Sequence, residues 1–123
     1  LSMPKYTAQA TDFVKHDEGK RRYELLQYDA LDEIVKALEY GANKYSDHNW
    51  LKGAKWSRYF GACMRHLTAW WRGESTDPET GLTHLAHAGA CILFLISYEK
   101  RLLGEDDRVT PNGTDGSTNG SSI

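Results

Sequence analysis

The chain has 123 residues, of which 40% are hydrophobic and 26% charged, and its net charge is −2. That length suits one domain with a single core, the composition is that of a globular protein, and no apolar run reaches the roughly 20 residues of a membrane helix. The slight acidity argues against holding polymeric nucleic acid by charge alone, yet leaves room for a small anion in a local basic pocket. Leu1-Ser2 ahead of Met3 reads as a vector-derived remnant, so residues 1–14 are set apart from the domain. No apolar stretch follows Lys5 as a secretory signal requires, which points to a cytoplasmic protein. Cys63 and Cys91 then read as reduced core thiols, since a pair this sparse makes no disulfide framework.

In chain order, residues 1–28 are polar and irregular and predict an ordered arm. Asp29 is the expected N-cap of a first helix in which Leu31, Ile34, Val35, Leu38 and Ala42 form one apolar stripe, ending near Tyr45. After a polar loop, 46–55, Trp56, Tyr59, Phe60, Cys63, Leu67, Trp70 and Trp71 keep helical spacing, and Gly73 is the expected C′ residue. Asp77-Pro78 offers a helix start that Gly81 delays to about Thr83. The last helix, to about Leu103, is apolar almost all round, so a second subunit is expected to cover it. From Gly104 the chain is rich in Gly, Ser, Thr, Asn and Asp, and 104–123 is expected to be disordered. The fold class is thus all-α: three main helices and an arm, in a domain over 15–103 whose bundle is completed by oligomerisation.

Several residues invite chemistry. His84 and His87 lie at i and i+3 with Cys91 four further on, a spacing that projects imidazole and thiol to one side and suits a transition metal, although hydrogen-bonded histidines beside a core cysteine have the same pattern. Glu74 and Asp77 place carboxylates just upstream, where hard cations find oxygen ligands. Glu39 lies on a flank of the first stripe with Asp32, Lys36 and Asn43, although Asp32 and Lys36 equally make an i, i+4 pair. Lys44, Tyr45, Asn49 and Trp50 fall within seven residues, a set able to grip a phosphate, stack on a base and bond its edge, or simply to pin a loop by two rings. Arg65 and His66 sit together on the second helix. No Gly-rich phosphate loop, nucleophile elbow or CxxC occurs, and His16-Asp17 lies in the arm, away from any helix.

Four segments, DEGKRRYELLQYDAL, YGANKYSDHNW, RHLTAWWRGESTD and GLTHLAHAGACILFL, together resemble the phage-associated dATP/dGTP diphosphohydrolase family, related to the MazG-like all-α nucleotide pyrophosphohydrolases. The resemblance spans about residues 15 to 100. It implies a magnesium-dependent enzyme, with manganese as the alternative, that splits a purine deoxynucleoside triphosphate (dGTP or dATP) into monophosphate and pyrophosphate. On this sequence the metal ligands would be Glu39, Glu74, Asp77 and His87, and the catalytic groups Glu74, Asp77, His84 and His87. Lys44, Tyr45, Asn49, Trp50, Arg65 and His66 would bind the nucleotide. The setting would be the host cytoplasm if the chain is phage-encoded. MazG-like enzymes carry EExxE on one helix and ExxD on a later one. Here the first helix has Asp32-Glu33 followed by Lys36, and His84 and His87 stand where ExxD belongs, which favours manganese or another transition metal. The competing readings are a non-catalytic phage accessory protein that binds a nucleotide or protein through the KYSDHNW loop, and a structural helical dimer.

Overall fold

A computed structural model describes residues 12–110. Three helices carry it: α1 (Tyr28–Lys44), α2 (Trp56–Trp71) and α3 (His84–Arg101), with short 3-10 turns at Tyr23–Leu25 and Asn49–Lys52. No strand occurs among the described residues, so the all-α class holds. Residues 1–11 and 111–123, on which the expectations for Leu1-Ser2 and for most of the tail fall, lie outside them.

The helix ends show where local chemistry acts. Gln27, not Asp29, occupies the N-cap of α1 and gives no side-chain cap. Asp29 instead sits in the first turn, where a carboxylate complements the helix dipole without capping. α2 closes as expected in a Schellman turn: Gly73 (φ +104°) bonds to the Trp70 carbonyl and Glu74 N–H to that of Ala69, both at 3.0 Å. α3 starts at the expected place, with Thr83 Oγ1 accepting from Leu85 N–H at 3.3 Å.

The start of α2 is capped from a distance. Lys55 has no capping side chain, and Asp107 supplies it, accepting from Ser57 N–H at 2.9 Å and from the Ser57 hydroxyl. Glu105 pairs with this corner through Trp56 N–H (2.9 Å) and the Ala54 carbonyl (3.1 Å), and Trp56 Nε1–H reaches the Leu103 carbonyl at 2.9 Å. A Cβ at Gly104 would stand 2.4 Å from the Ala54 oxygen, so only glycine allows the approach. Residues 104–110, taken from their composition as the start of a disordered tail, are therefore tied to the domain by backbone pairing that composition does not reveal.

α3 is the central helix. Against α1 it packs Ala86 and Ala90 with Ala37, joined by Ile34, Leu38 and Phe94; against α2 it packs Ala88 and Cys91 with Cys63, joined by Tyr59 and Leu67. Small residues let the helices close in, and at Gly89 an added Cβ would lie 2.7 Å from Ile34 Cδ1. Tyr98 is fully buried and donates its hydroxyl to the Trp50 carbonyl at 2.7 Å. α2 and α3 run antiparallel, as His66 meets His84 and Tyr59 meets Phe94. Phe60 and Met64 follow the seam residues Tyr59 and Cys63 by one position, and Leu85 and Ile92 follow His84 and Cys91 likewise. Equal offsets in an antiparallel pair fall on the same side. These four side chains and Ile96 thus form one apolar strip, each at least 41% exposed in the single chain.

Candidate functional site

Three elements bring a polar cluster together beneath the 74–83 loop. Asp77 is buried, and its turn is stapled by its own backbone: its N–H donates to the Leu82 carbonyl and its carbonyl accepts from Gly81 N–H, both at 2.8 Å. Asp77 Oδ1 accepts from Glu79 N–H at 2.8 Å, an Asx turn that commits this oxygen to the backbone. Oδ2 is left facing inward, 3.8 Å from His66 Nδ1 and 3.9 Å from His87 Nε2, too far for a hydrogen bond to either.

The histidines come from two helices. His66 on α2 and His84 on α3 approach Nδ1 to Nδ1 at 2.9 Å, and His66 stacks on His87 with centroids 4.8 Å apart and planes 17° apart. His84 Nε2 lies 2.7 Å from Glu74 Oε1, and His87 Nε2 lies 2.7 Å from Thr80 Oγ1. Burial holds the His66 and His87 pKa values below the ordinary imidazole value. The positive charge of neighbouring histidines adds to the lowering, and Asp77 opposes it. Both shifts favour the neutral ring. His66, Asp77 and His84 offer three ligand atoms within 4.8 Å of one another, a set able to hold a metal ion.

Of the residues expected from sequence, Glu74, Asp77, His84 and His87 converge here, and His66, expected among the nucleotide contacts, lies in the same cluster. Lys44 reaches the rim, its Nζ 3.4 Å from Glu79 Oε1, beside Tyr40, whose ring meets His87 edge-on. Arg65 lies on the exposed side of α2, folded back toward Gly61. Glu39 is not in the cluster. It lines a separate apolar cleft of about 600 Å³ with Tyr45, Asn49, Trp50, Tyr59 and Phe94. Cys91 also departs from the histidines, because it turns into the α2–α3 core where burial pushes its thiol up to about 11. Thr80, Glu79 and Tyr40 were not singled out from sequence. The Asp-Pro-Glu-Thr-Gly run carries the turn signal for the first two, but nothing local marks Tyr40.

In the cleft the two rings of the loop differ. Trp50 stacks on Phe94 at 5.7 Å, with the Arg101 guanidinium 5.0 Å from its ring centre. It pins the loop. Tyr45 is 66% exposed, and the Lys44 ammonium lies 5.5 Å from its ring.

A family model described as dATP/dGTP diphosphohydrolase, N-terminal, matches residues 11–108. The chain belongs to this family. A protein of Salmonella phage PMBT28 named dATP/dGTP diphosphohydrolase is 33% identical over 95 residues, which is 77% of this chain and 32% of that protein. The chain thus spans about a third of the length of the curated relative it matches. No solved structure matches it. No helix among the described residues is long and apolar enough to cross a membrane.

Proposed function

We propose that this member of the family is a divalent-cation-dependent nucleotide diphosphohydrolase, which converts a purine deoxynucleoside triphosphate and water into the monophosphate and pyrophosphate. The observation that carries the reading is Asp77 Oδ2, a carboxylate oxygen buried among imidazoles with no hydrogen-bond donor in range among the described residues. A buried carboxylate oxygen without a partner is costly, and a cation supplies the missing charge. His66, Asp77 and His84 would hold it. Bound there, it would supply Lewis-acid polarisation of phosphoryl oxygens and acidification of water. The resemblance implies magnesium, with manganese as the alternative.

The chain's own residues do the rest. His87, its pKa lowered by burial, takes the proton of the attacking water at Nε2, the nitrogen that faces Asp77 and exchanges its Thr80 contact for that proton. The water oxygen bonds to the α-phosphorus as the bond to the bridging oxygen breaks and pyrophosphate leaves. Lys44 at the rim offsets the phosphate charge, and Arg65, exposed beside His66, would swing from Gly61 to add to it. The cleft takes the base: Tyr45 stacks on it, while the Asn49 amide and the Glu39 carboxylate meet its polar edge. The MazG relation accounts for an all-α body carrying such a site. A second copy of the chain covers the strip of Phe60, Met64, Leu85, Ile92 and Ile96, in the host cytoplasm if the gene is a phage's.

The test is a product assay with each of the four dNTPs and magnesium or manganese. Monophosphate and pyrophosphate from dGTP or dATP, lost on chelation, is the expected result. Release of triphosphate or single phosphate would overturn the reading, as would nucleotide binding that survives both chelation and Asp77→Ala without turnover. Sedimentation at micromolar concentration is expected to give a dimer or larger, and a monomer would remove the partner.

A further inference from the structure

The hydrogen bonds of the cluster specify more than its composition does. His84 Nε2 lies 2.7 Å from Glu74 Oε1, and a carboxylate accepts, so Nε2 carries the ring proton. The neutral ring then presents an Nδ1 lone pair, which points at His66 Nδ1 2.9 Å away. Two nitrogens at this separation either share one proton or both face a cation. Ligands bound at right angles by bonds of about 2.1 Å lie ~3 Å apart, so the spacing suits the second case without rearrangement. Asp77 Oδ2, 3.8 Å from His66 Nδ1, is the third ligand and would draw in toward the ion, its other oxygen being held by Glu79 N–H.

This donor set does not suit magnesium, which takes oxygen ligands in a near-ideal octahedron and sheds water reluctantly. Two imidazoles and one carboxylate suit manganese, iron, cobalt or zinc, and three protein ligands leave positions open, as in catalytic sites. The carboxylate behind the ring is the usual device for fixing a metal-binding tautomer. We infer that the His66–Asp77–His84 site selects a first-row transition-metal ion over magnesium, and that Glu74 is the positioning residue that fixes the His84 tautomer.

The inference concerns the cation of the site assigned above but is tested without nucleotide, so it survives or fails independently of the hydrolase reading. Chelator-stripped full-length protein is titrated with Co²⁺, Mn²⁺, Zn²⁺ and Mg²⁺ by calorimetry, and Co²⁺ is also followed by its visible absorption. Expected is one Co²⁺ per chain with a ligand-field band, and Mg²⁺ bound at least 100-fold more weakly. His66→Asn and His84→Asn should abolish the band. Glu74→Ala should weaken Co²⁺ binding roughly 10- to 100-fold, the usual loss for a partner behind a ligand, and Glu74→Gln, which keeps an acceptor, should recover part of it. The Glu74 side chain is 54% exposed, so these two variants leave packing intact, as circular dichroism melts would verify. Equal affinity for Mg²⁺ and Co²⁺, or a folded His66 variant that binds Co²⁺ like the parent, would overturn the selectivity. Unchanged Co²⁺ affinity in Glu74→Ala would overturn the positioning role.

Discussion

The histidine cluster and the aromatic cleft are built on opposite plans, although both rest on α3. In the cluster, polar atoms are withdrawn from water and bonded to one another, so position is fixed atom by atom: Glu74 on His84, Thr80 on His87, Glu79 N–H on Asp77. In the cleft the walls are largely apolar, and polar groups such as Glu39, Asp47 and Asn49 line a cavity of about 600 Å³. The first arrangement suits chemistry, which needs preorganised groups, and the second suits recognition, which tolerates adjustment. A residue's role should therefore follow the region it lies in.

The largest expected effect falls on the cluster. Asp77→Asn keeps the Oδ1 acceptor of the turn but removes the charge, so turnover should fall by about 10³-fold or more while the melting temperature holds or rises. His87→Gln should cost on the order of 10²- to 10⁴-fold in kcat with little change in KM, the range for losing a general base. Steady-state kinetics read both. A loss of the same size from Glu39→Gln would break the distinction, since Glu39 belongs to the cleft and should alter the ratio of dGTP to dATP turnover instead.

Next come the two rings of the cleft, which ought to separate. Trp50 packs its ring on Phe94 and against the Arg101 guanidinium, so Trp50→Ala should destabilise the fold by about 2–3 kcal/mol, as for a half-buried ring. Tyr45→Ala should leave stability within about 0.5 kcal/mol and raise KM, since one stacked base is worth roughly 1–3 kcal/mol. Denaturant melts and kinetics on both variants would check this. A stable Trp50→Ala with raised KM would exchange their roles.

Sequence periodicity made the helices legible because each buries a stripe: Leu31, Ile34 and Leu38 on α1 and the Tyr59, Cys63, Leu67 line on α2 carry the 3.6-residue signal. Gly73 and Thr83 were legible as local stop and start signals. Asp107 was not, because a cap supplied from fifty residues away leaves no mark near Ser57. The resemblance and the His, Glu and Asp residues pointed to the cluster, yet the sorting of Glu39 from His66 depended on how α1 and α2 are rotated about their axes. Spacing within one helix says nothing about that. Cys91 shared the spacing of His84 and His87 and still lay in the core, since it stands two turns, about 10 Å, further along α3 than His84, beyond the reach of a cluster this tight.

The smallest effect lies in the seam that joins the two regions, and it has a sign. Burial pushes the Cys91 thiol up to about 11, helped by the neighbouring Cys63, and raises the Tyr59 hydroxyl to about 12, with Tyr98 adding to it. A folded-state pKa above the unfolded value means that the folded form keeps its proton longer. The resulting stability is complete below pH ~8.5 for cysteine and ~10 for tyrosine, and it is lost as pH rises through the folded values near 11 and 12. Alkaline melts from pH 8 to 11.5 should therefore show a falling midpoint beginning near pH 9. Cys91→Ala should flatten its first part, because no thiol then needs to ionise in the α2–α3 seam. At pH 8 the native protein should resist iodoacetamide at both cysteines while the denatured chain is labelled, since the reactive species is the thiolate and burial disfavours it. Rapid native labelling of Cys91 would mean that the seam opens, and with it the rigid helix pair on which the imidazole spacing depends.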